Sequence, residues 1–301
     1  MKRRYAVMAH IITACHKVRD GVARLRIWPY QGRSRASRAH GAWCLALTLA
    51  LLTFPLSRAA ATAIVVVKIP TGVFIGADSK EVLRGTGADQ TSSACKIRQV
   101  GDIFVASSGT YRTYFASEPV QFDAFTIARD SLKGPGTIEE RVAAFEKQVQ
   151  PALSAAMQDM HDRLPADYSK YIEGKAALEV AFVGIEKGSS VVLVRQFMAS
   201  ASTSGKVSIA THPDDCPGDC PGGNLAAFLG LNEEMAAYAD AHAHEIWKAD
   251  IPQAIEQLIR LEIVKYPKFV GEPIDVLRVD NNGATWVQRN PQCPDVKSAD
   301  H

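Results

Sequence analysis

TAIVVVKIPTGVFIGADSK, residues 62–80, is the stretch from which the rest of the chain can be read. Two apolar, β-branched runs, 63–68 and 72–78, flank Pro70-Thr71-Gly72. β-Branched side chains favour extended backbone and Pro and Gly punctuate it, so the stretch predicts a hairpin of two buried strands. The same strand–turn–strand pattern recurs over 96–100 and 102–107, around Gly101-Asp102.

Outward from these hairpins the period changes. Residues 122–132 and 138–164 show helical spacing, with Val142, Phe145, Val149, Leu153, Ala156 and Met160 at three- and four-residue steps. Gly134-Pro135-Gly136 separates the two helices. Strands return at 178–185 and 190–197, with a weaker run at 206–210, followed by helices expected at 225–243 and 251–264. Strands at 274–279 and 284–288 close the pattern around Asn281-Asn282-Gly283. Blocks of strands alternating with pairs of helices predict an α+β fold in which helices cover antiparallel sheets. There is no internal repeat and no low-complexity stretch.

Charge is unevenly shared. The 301 residues carry a formal net charge of +2, from 34 Lys+Arg and 32 Asp+Glu. Residues 1–61 hold 11 of those bases and one acid, Asp20, which leaves residues 62–301 with 23 bases, 31 acids and a net −8. An acidic body argues against a nucleic-acid partner, because neutralising phosphates takes clustered Lys and Arg. At 47% hydrophobic and 22% charged, the chain falls outside the disordered and fibrous classes.

The longest apolar run, AWCLALTLALLTF over residues 42–54, is 13 residues long. A membrane-spanning helix needs about 20, so the run fits the apolar core of a secretory signal better than a span. Basic residues precede it, and Pro55 and the small residues Ala59, Ala60 and Ala61 follow. Residues 1–61 are therefore expected to be a removable leader, cut by signal peptidase between Ala61 and Thr62, although cuts after Ala59 or Ala63 obey the same small-residue rule. The expectation is an exported protein, periplasmic or secreted, with no stable membrane span once processed. Residues 62–301 form one domain, with 289–301 as a flexible tail.

Cleavage after Ala61 would make Thr62 the first residue of the mature chain. An N-terminal Thr carries a nucleophile and a base on one residue: its hydroxyl attacks, and its α-amine, with a reference pKa near 7.7–8.0, takes the proton. The ordinary role of a Thr here is simply to open a strand. Register adds to the picture. Thr62, Gly72, Ala77-Asp78-Ser79 and Lys80 are followed by Lys96 in Cys95-Lys96-Ile97 and by Phe104-Val105-Ala106-Ser107-Ser108-Gly109, with Asp78 16 residues after Thr62. This pattern resembles proteasome β-type subunits and their bacterial relatives, the threonine-type N-terminal-nucleophile (Ntn) hydrolases. The resemblance covers residues 62–109 and fades to an echo at 270–277. Pro267 and Val270 stand near the places where the family draws an Asp and a Ser from its second half.

The resemblance implies a four-layer αββα sandwich and an amide- or peptide-bond hydrolase that works through an acyl-enzyme. It implies Thr62 as nucleophile, Lys96 as the cation that lowers the hydroxyl pKa, Asp78 as the partner of Lys96, and the Gly109 N–H as oxyanion donor. No cofactor or metal is implied. The substrate would be a peptide or a small amide, and a homo-oligomer is compatible with the pattern. Two alternatives stand beside it: a narrow amidohydrolase of the same fold, and a catalytically silent binding or assembly subunit.

Cys95, Cys216, Cys220 and Cys293 follow the leader. Cys216 and Cys220 are placed to close a short disulfide loop, with Cys95 and Cys293 free or paired; Cys95 reads as a small buried hydrophobe. His212, Asp214, Asp215, Cys216 and Cys220 lack the second ligand pair that a zinc site needs. His242 and His244 are two residues apart, which puts them on different helical faces.

Overall fold

Thr62 stands immediately before the first strand in the computed structural model, which describes residues 62–83, 90–113, 122–213, 224–246, 248 and 250–296. The hairpin over 62–80 forms as the sequence predicts. β1 (Ala63–Ile69) pairs antiparallel with β2 (Gly72–Asp78), and Ile64 faces Ala77 across the ladder. A second hairpin, β3 (Lys80–Leu83) with β4 (Gln90–Ser93), was not anticipated. β5 (Ile97–Val100) and β6 (Ile103–Gly109) follow, then the short pair β7 (Arg112–Thr113) and β8 (Phe122–Asp123).

Three helices come next: α1 (Ala124–Ser131), α2 (Ile138–Arg163) and α3 (Pro165–Tyr171). Asp123 caps α1, and Thr137 and Glu140 cap α2 reciprocally in a capping box. β9 (Lys175–Glu186), β10 (Ser189–Ala201), β11 (Val207–Pro213) and β12 (Leu225–Gly230) precede α4 (Glu233–Ile246) and α5 (Ile251–Lys265). β13 (Ile274–Asp280) and β14 (Gly283–Gln288) complete the chain.

The expected helix at 225–243 is corrected by this arrangement. Leu225–Gly230 is a strand, and the helix begins at Glu233. Ala226 and Ala227 carry helix propensity, but β12 pairs with β1 along its whole length, and tertiary pairing overrides a weak local preference.

Among the described residues every strand pairing is antiparallel; ten strands form two five-stranded sheets with orders β12-β1-β2-β13-β14 and β11-β10-β9-β6-β5, and β3/β4 and β7/β8 form two separate two-stranded ribbons. The fold class is α+β, as expected. Side chains on a strand alternate between faces, and β1 buries both of its faces. Ile64 and Val66 pack with Phe104, Ala181 and Val183 of the other sheet, whereas Ala63, Val65 and Val67 join Ile255, Leu258 and Ile259 of α5. On the far side of the second sheet Phe145 of α2 packs edge-on against Phe182 and Phe197, at centroid distances of 5.1 and 6.1 Å.

All described residues lie in one compact unit, Leu56–His301. Among them no helix is long and apolar enough to cross a membrane. The leader and its cleavage site at Ala61, together with Asp214, Asp215, Cys216 and Cys220, lie outside the described residues. Residues 290–293 of the expected flexible tail are anchored: Asn290 and Cys293 are buried, and Cys293 is disulfide-bonded to Cys95. Cys95 is therefore half of a cystine, not a free small hydrophobe. Its partner lies 198 residues away, too far for spacing to signal it.

Candidate functional site

The site is built around Asp78, the last residue of β2. It is fully buried, and four N–H groups converge on its carboxylate. Oδ1 accepts from the Ala63 backbone N–H at 2.9 Å and from Lys96 Nζ at 2.8 Å. Oδ2 accepts from the Lys80 N–H at 3.2 Å and the Gly271 N–H at 3.1 Å. One carboxylate thus joins the residue after Thr62, the buried lysine, the start of β3 and the segment leading into β13.

Lys96 precedes β5 and is also buried, at 1% exposure. Burial holds its ammonium pKa below the usual lysine value, and the negative charges of Asp78, Glu81 and Asp275 oppose that shift. Glu81 is itself fixed by the Tyr111 hydroxyl at 2.6 Å and the Ser92 hydroxyl at 3.0 Å. Burial and the neighbouring carboxylate push the Tyr111 phenol pKa upward. That keeps the phenol a hydrogen-bond donor.

Behind the pair lies a second acid. Asp275 of β13 accepts from the Ser79 hydroxyl at 2.8 Å and from the Asn290 N–H. Burial raises its pKa, and the Asp78 charge adds to the effect. The echo at 270–277 is thus packed directly on the 78–80 segment, since the Ser79 N–H also donates to Pro273 O at 2.9 Å. The two sulfurs of the Cys95–Cys293 disulfide lie against Asp275, with Cys293 Sγ 3.4 Å from its Oδ2. Those two sulfurs and an Asp275 oxygen lie within 4.8 Å of one another, but the sulfurs are bonded together and offer no thiolate pair.

Thr62 is buried at 1% exposure and its carbonyl accepts from the Leu231 N–H at 2.8 Å. Gly230, at the end of β12, has φ +82°, and a Cβ there would fall 1.8 Å from the Thr62 carbonyl oxygen. Only glycine permits that approach. Gly109 ends β6 at φ +76°, and a Cβ there would meet the Ala177 carbonyl oxygen at 2.7 Å. Backbone contact across β6 and β9 is thus one reason for glycine at 109, independent of any oxyanion role.

Of the four residues marked from sequence, Asp78 and Lys96 are in direct contact and are tied to Thr62 through Ala63. Gly109 follows Ser108, whose Cβ borders Gly230 and hence the Thr62 carbonyl. Sequence reasoning gave no role to Ser79, Asp275, Glu179 or Gly230. Glu179 had a visible signal, as the one acid inside the apolar run 178–185. His242 keeps a surface role, stacking on Tyr238 at 4.3 Å. No protein-family model matches the chain, and no curated protein matches it.

Proposed function

We propose that residues 62–301 form a threonine-type N-terminal-nucleophile hydrolase that cleaves amide or peptide bonds, and that the two sheets with their flanking helices make up the four-layer αββα sandwich of that fold. The observation that carries this reading is the shared oxygen of Asp78, which holds the Lys96 ammonium and the backbone of Ala63 at once. A buried cation held on the same carboxylate oxygen as the residue after Thr62 is a costly arrangement for a fold to keep without use.

In the proposed reaction the Thr62 hydroxyl attacks the substrate carbonyl and its proton passes to the free α-amine. The Lys96 charge lowers the hydroxyl pKa, and the Gly109 N–H donates to the oxyanion. Donors of that kind are worth about 3–4 kcal/mol in comparable sites. The C–N bond breaks, the leaving amine takes the proton from the α-ammonium, and an ester forms at Thr62. Water then attacks the ester, giving its proton to the α-amine. The C–O bond breaks and Thr62 Oγ regains a proton.

Removal of residues 1–61 is the activating step on this reading, because it creates the α-amine. The test is a chain beginning at Thr62, treated with a β-lactone and analysed by peptide mass spectrometry. An adduct on residue 62, absent in Thr62→Ala, is the expected outcome. A correctly processed chain that takes up no adduct would point to the silent binding or assembly subunit.

A further inference from the structure

Residues 62–301 carry a net −8, yet one cleft among them is lined by arginine. It lies between β5 and α1, encloses about 130 Å³, and is bounded by Arg98, Gln99, Val100, Phe125, Thr126 and Arg129. Both walls follow from periodicity. Ile97 packs into the core between the sheets, so the alternation along β5 turns Arg98 and Val100 toward α1. On α1, Arg129 stands four residues after Phe125 and three after Thr126, which brings all three to one side of the helix.

The Arg98 guanidinium lies over the Phe125 ring, 4.3 Å from its centroid. That ring is buried and packs edge-on against Tyr111 at 5.8 Å. A stacked guanidinium is held flat while the N–H groups on its rim stay available to an acceptor. Among the described residues no carboxylate pairs with Arg98. The acids on the neighbouring segments are held by other arginines. Asp123, the cap of α1, binds Arg112 at 2.8 Å, and Asp102, just past β5, binds Arg141 at 2.6 Å. Asp130 meets Arg129 at 3.3 Å, but both side chains are exposed, and an exposed pair is weak enough for a ligand to displace.

We propose that this cleft binds a phosphate group, free or as the monoester of a small soluble molecule. Two guanidiniums and the Thr126 hydroxyl offer donors from both walls. A phosphate monoester brings about −1.5 to −2 charges and three acceptor oxygens, which matches two cations better than the single charge of a carboxylate does. An arginine that served only to cover Phe125 would call for no second arginine on the facing helix. The site is independent of the hydrolase reading and holds whether or not Thr62 is a nucleophile.

Isothermal titration calorimetry of the full-length protein with inorganic phosphate, at constant ionic strength, tests the assignment. The expected result is saturable binding that weakens about tenfold or more in Arg98→Gln and in Arg129→Gln, the effect of losing one hydrogen bond to a charged group. Arg98→Lys keeps the charge and loses the fork, so its affinity is expected between those of wild type and Arg98→Gln. Arg260→Gln is the control, since Arg260 is an exposed residue of α5 engaged with Glu256 and Glu272, and it is expected to bind as wild type does. Absence of saturable binding at millimolar phosphate overturns the proposal, and so does equal binding by wild type and both cleft variants. An equal loss in Arg260→Gln would mean diffuse charge and overturns it too. Should Arg98→Gln fail to fold for want of its cover on Phe125, Arg129→Gln, at an exposed position, decides alone. Acetate that competes as well as phosphate would sink the phosphate assignment. Glycerol phosphate as a second titrant separates the two sources: tighter binding than inorganic phosphate assigns the site to a monoester, weaker binding to the free ion.

Discussion

Asp78 and Lys96 form a buried ion pair, Nζ to Oδ1 2.8 Å, with side-chain exposures of 0% and 1%. Removing one partner strands the other charge away from water. Asp78→Asn is therefore expected to destabilise the protein by about 3–5 kcal/mol, whereas Asp78→Asn combined with Lys96→Met recovers most of that loss. Urea unfolding of the two single variants and the double variant checks this. A purely additive double variant would show that the pair is not coupled. Thr62 labelling is expected to be lost in all three.

Gly230 sets the position of the Thr62 carbonyl. In Gly230→Ala the new methyl meets backbone at 1.8 Å and sits on a residue with φ +82°. Overpacking of this kind costs about 1–3 kcal/mol, and the β1/β12 register at Ala63 should shift with it. Thermal denaturation reads the first effect and the rate of β-lactone labelling the second. Unchanged stability would mean that β12 yields freely there.

The disulfide between Cys95 and Cys293 closes a loop of sequence separation 198. Cys293→Ser, or reduction of the wild type, is expected to cost about 2–5 kcal/mol. The expected observation is a lower melting temperature that no longer responds to dithiothreitol in the Ser variant. Equal melting temperatures for reduced and oxidised wild type would contradict it.

Asp275 gives a pH dependence whose sign follows from its burial. Its pKa in the fold is raised above the ordinary 3.8, chiefly by burial. A raised carboxyl contributes stability that is complete below the unfolded value and is lost as pH rises through the folded value. Asp275→Asn lacks that loss. The variant's stability relative to wild type is therefore expected to improve as pH rises above the ordinary carboxyl value of 3.8, read as urea midpoints at each pH. A gap that widens over this range would reverse the reading.

Much of this arrangement was legible in the chain because it is local or strictly spaced. The strands 63–68 and 72–78 declare themselves through β-branched residues around Pro70 and Gly72. Asp78 and Lys96 stand out through the resemblance of the 62–109 pattern to threonine-type Ntn hydrolases. What escaped depends on partners distant in sequence. Leu225–Gly230 reads as helix until β1 is there to pair with it. Cys95 finds Cys293 only once β13 has brought the end of the chain back to β2. Glu179 looks like an interruption in an apolar strand until Gly230 of the other sheet arrives above it.

A chain terminus ordinarily frays, since nothing holds it from one side. β1 is an interior strand, held by β12 on one edge and β2 on the other, and the hydrogen bond from Leu231 to Thr62 extends that grip to the residue just before it. An end created at Thr62 would be born inside the sheet. Its orientation would be fixed by folding alone, leaving a substrate no disorder to quench on arrival.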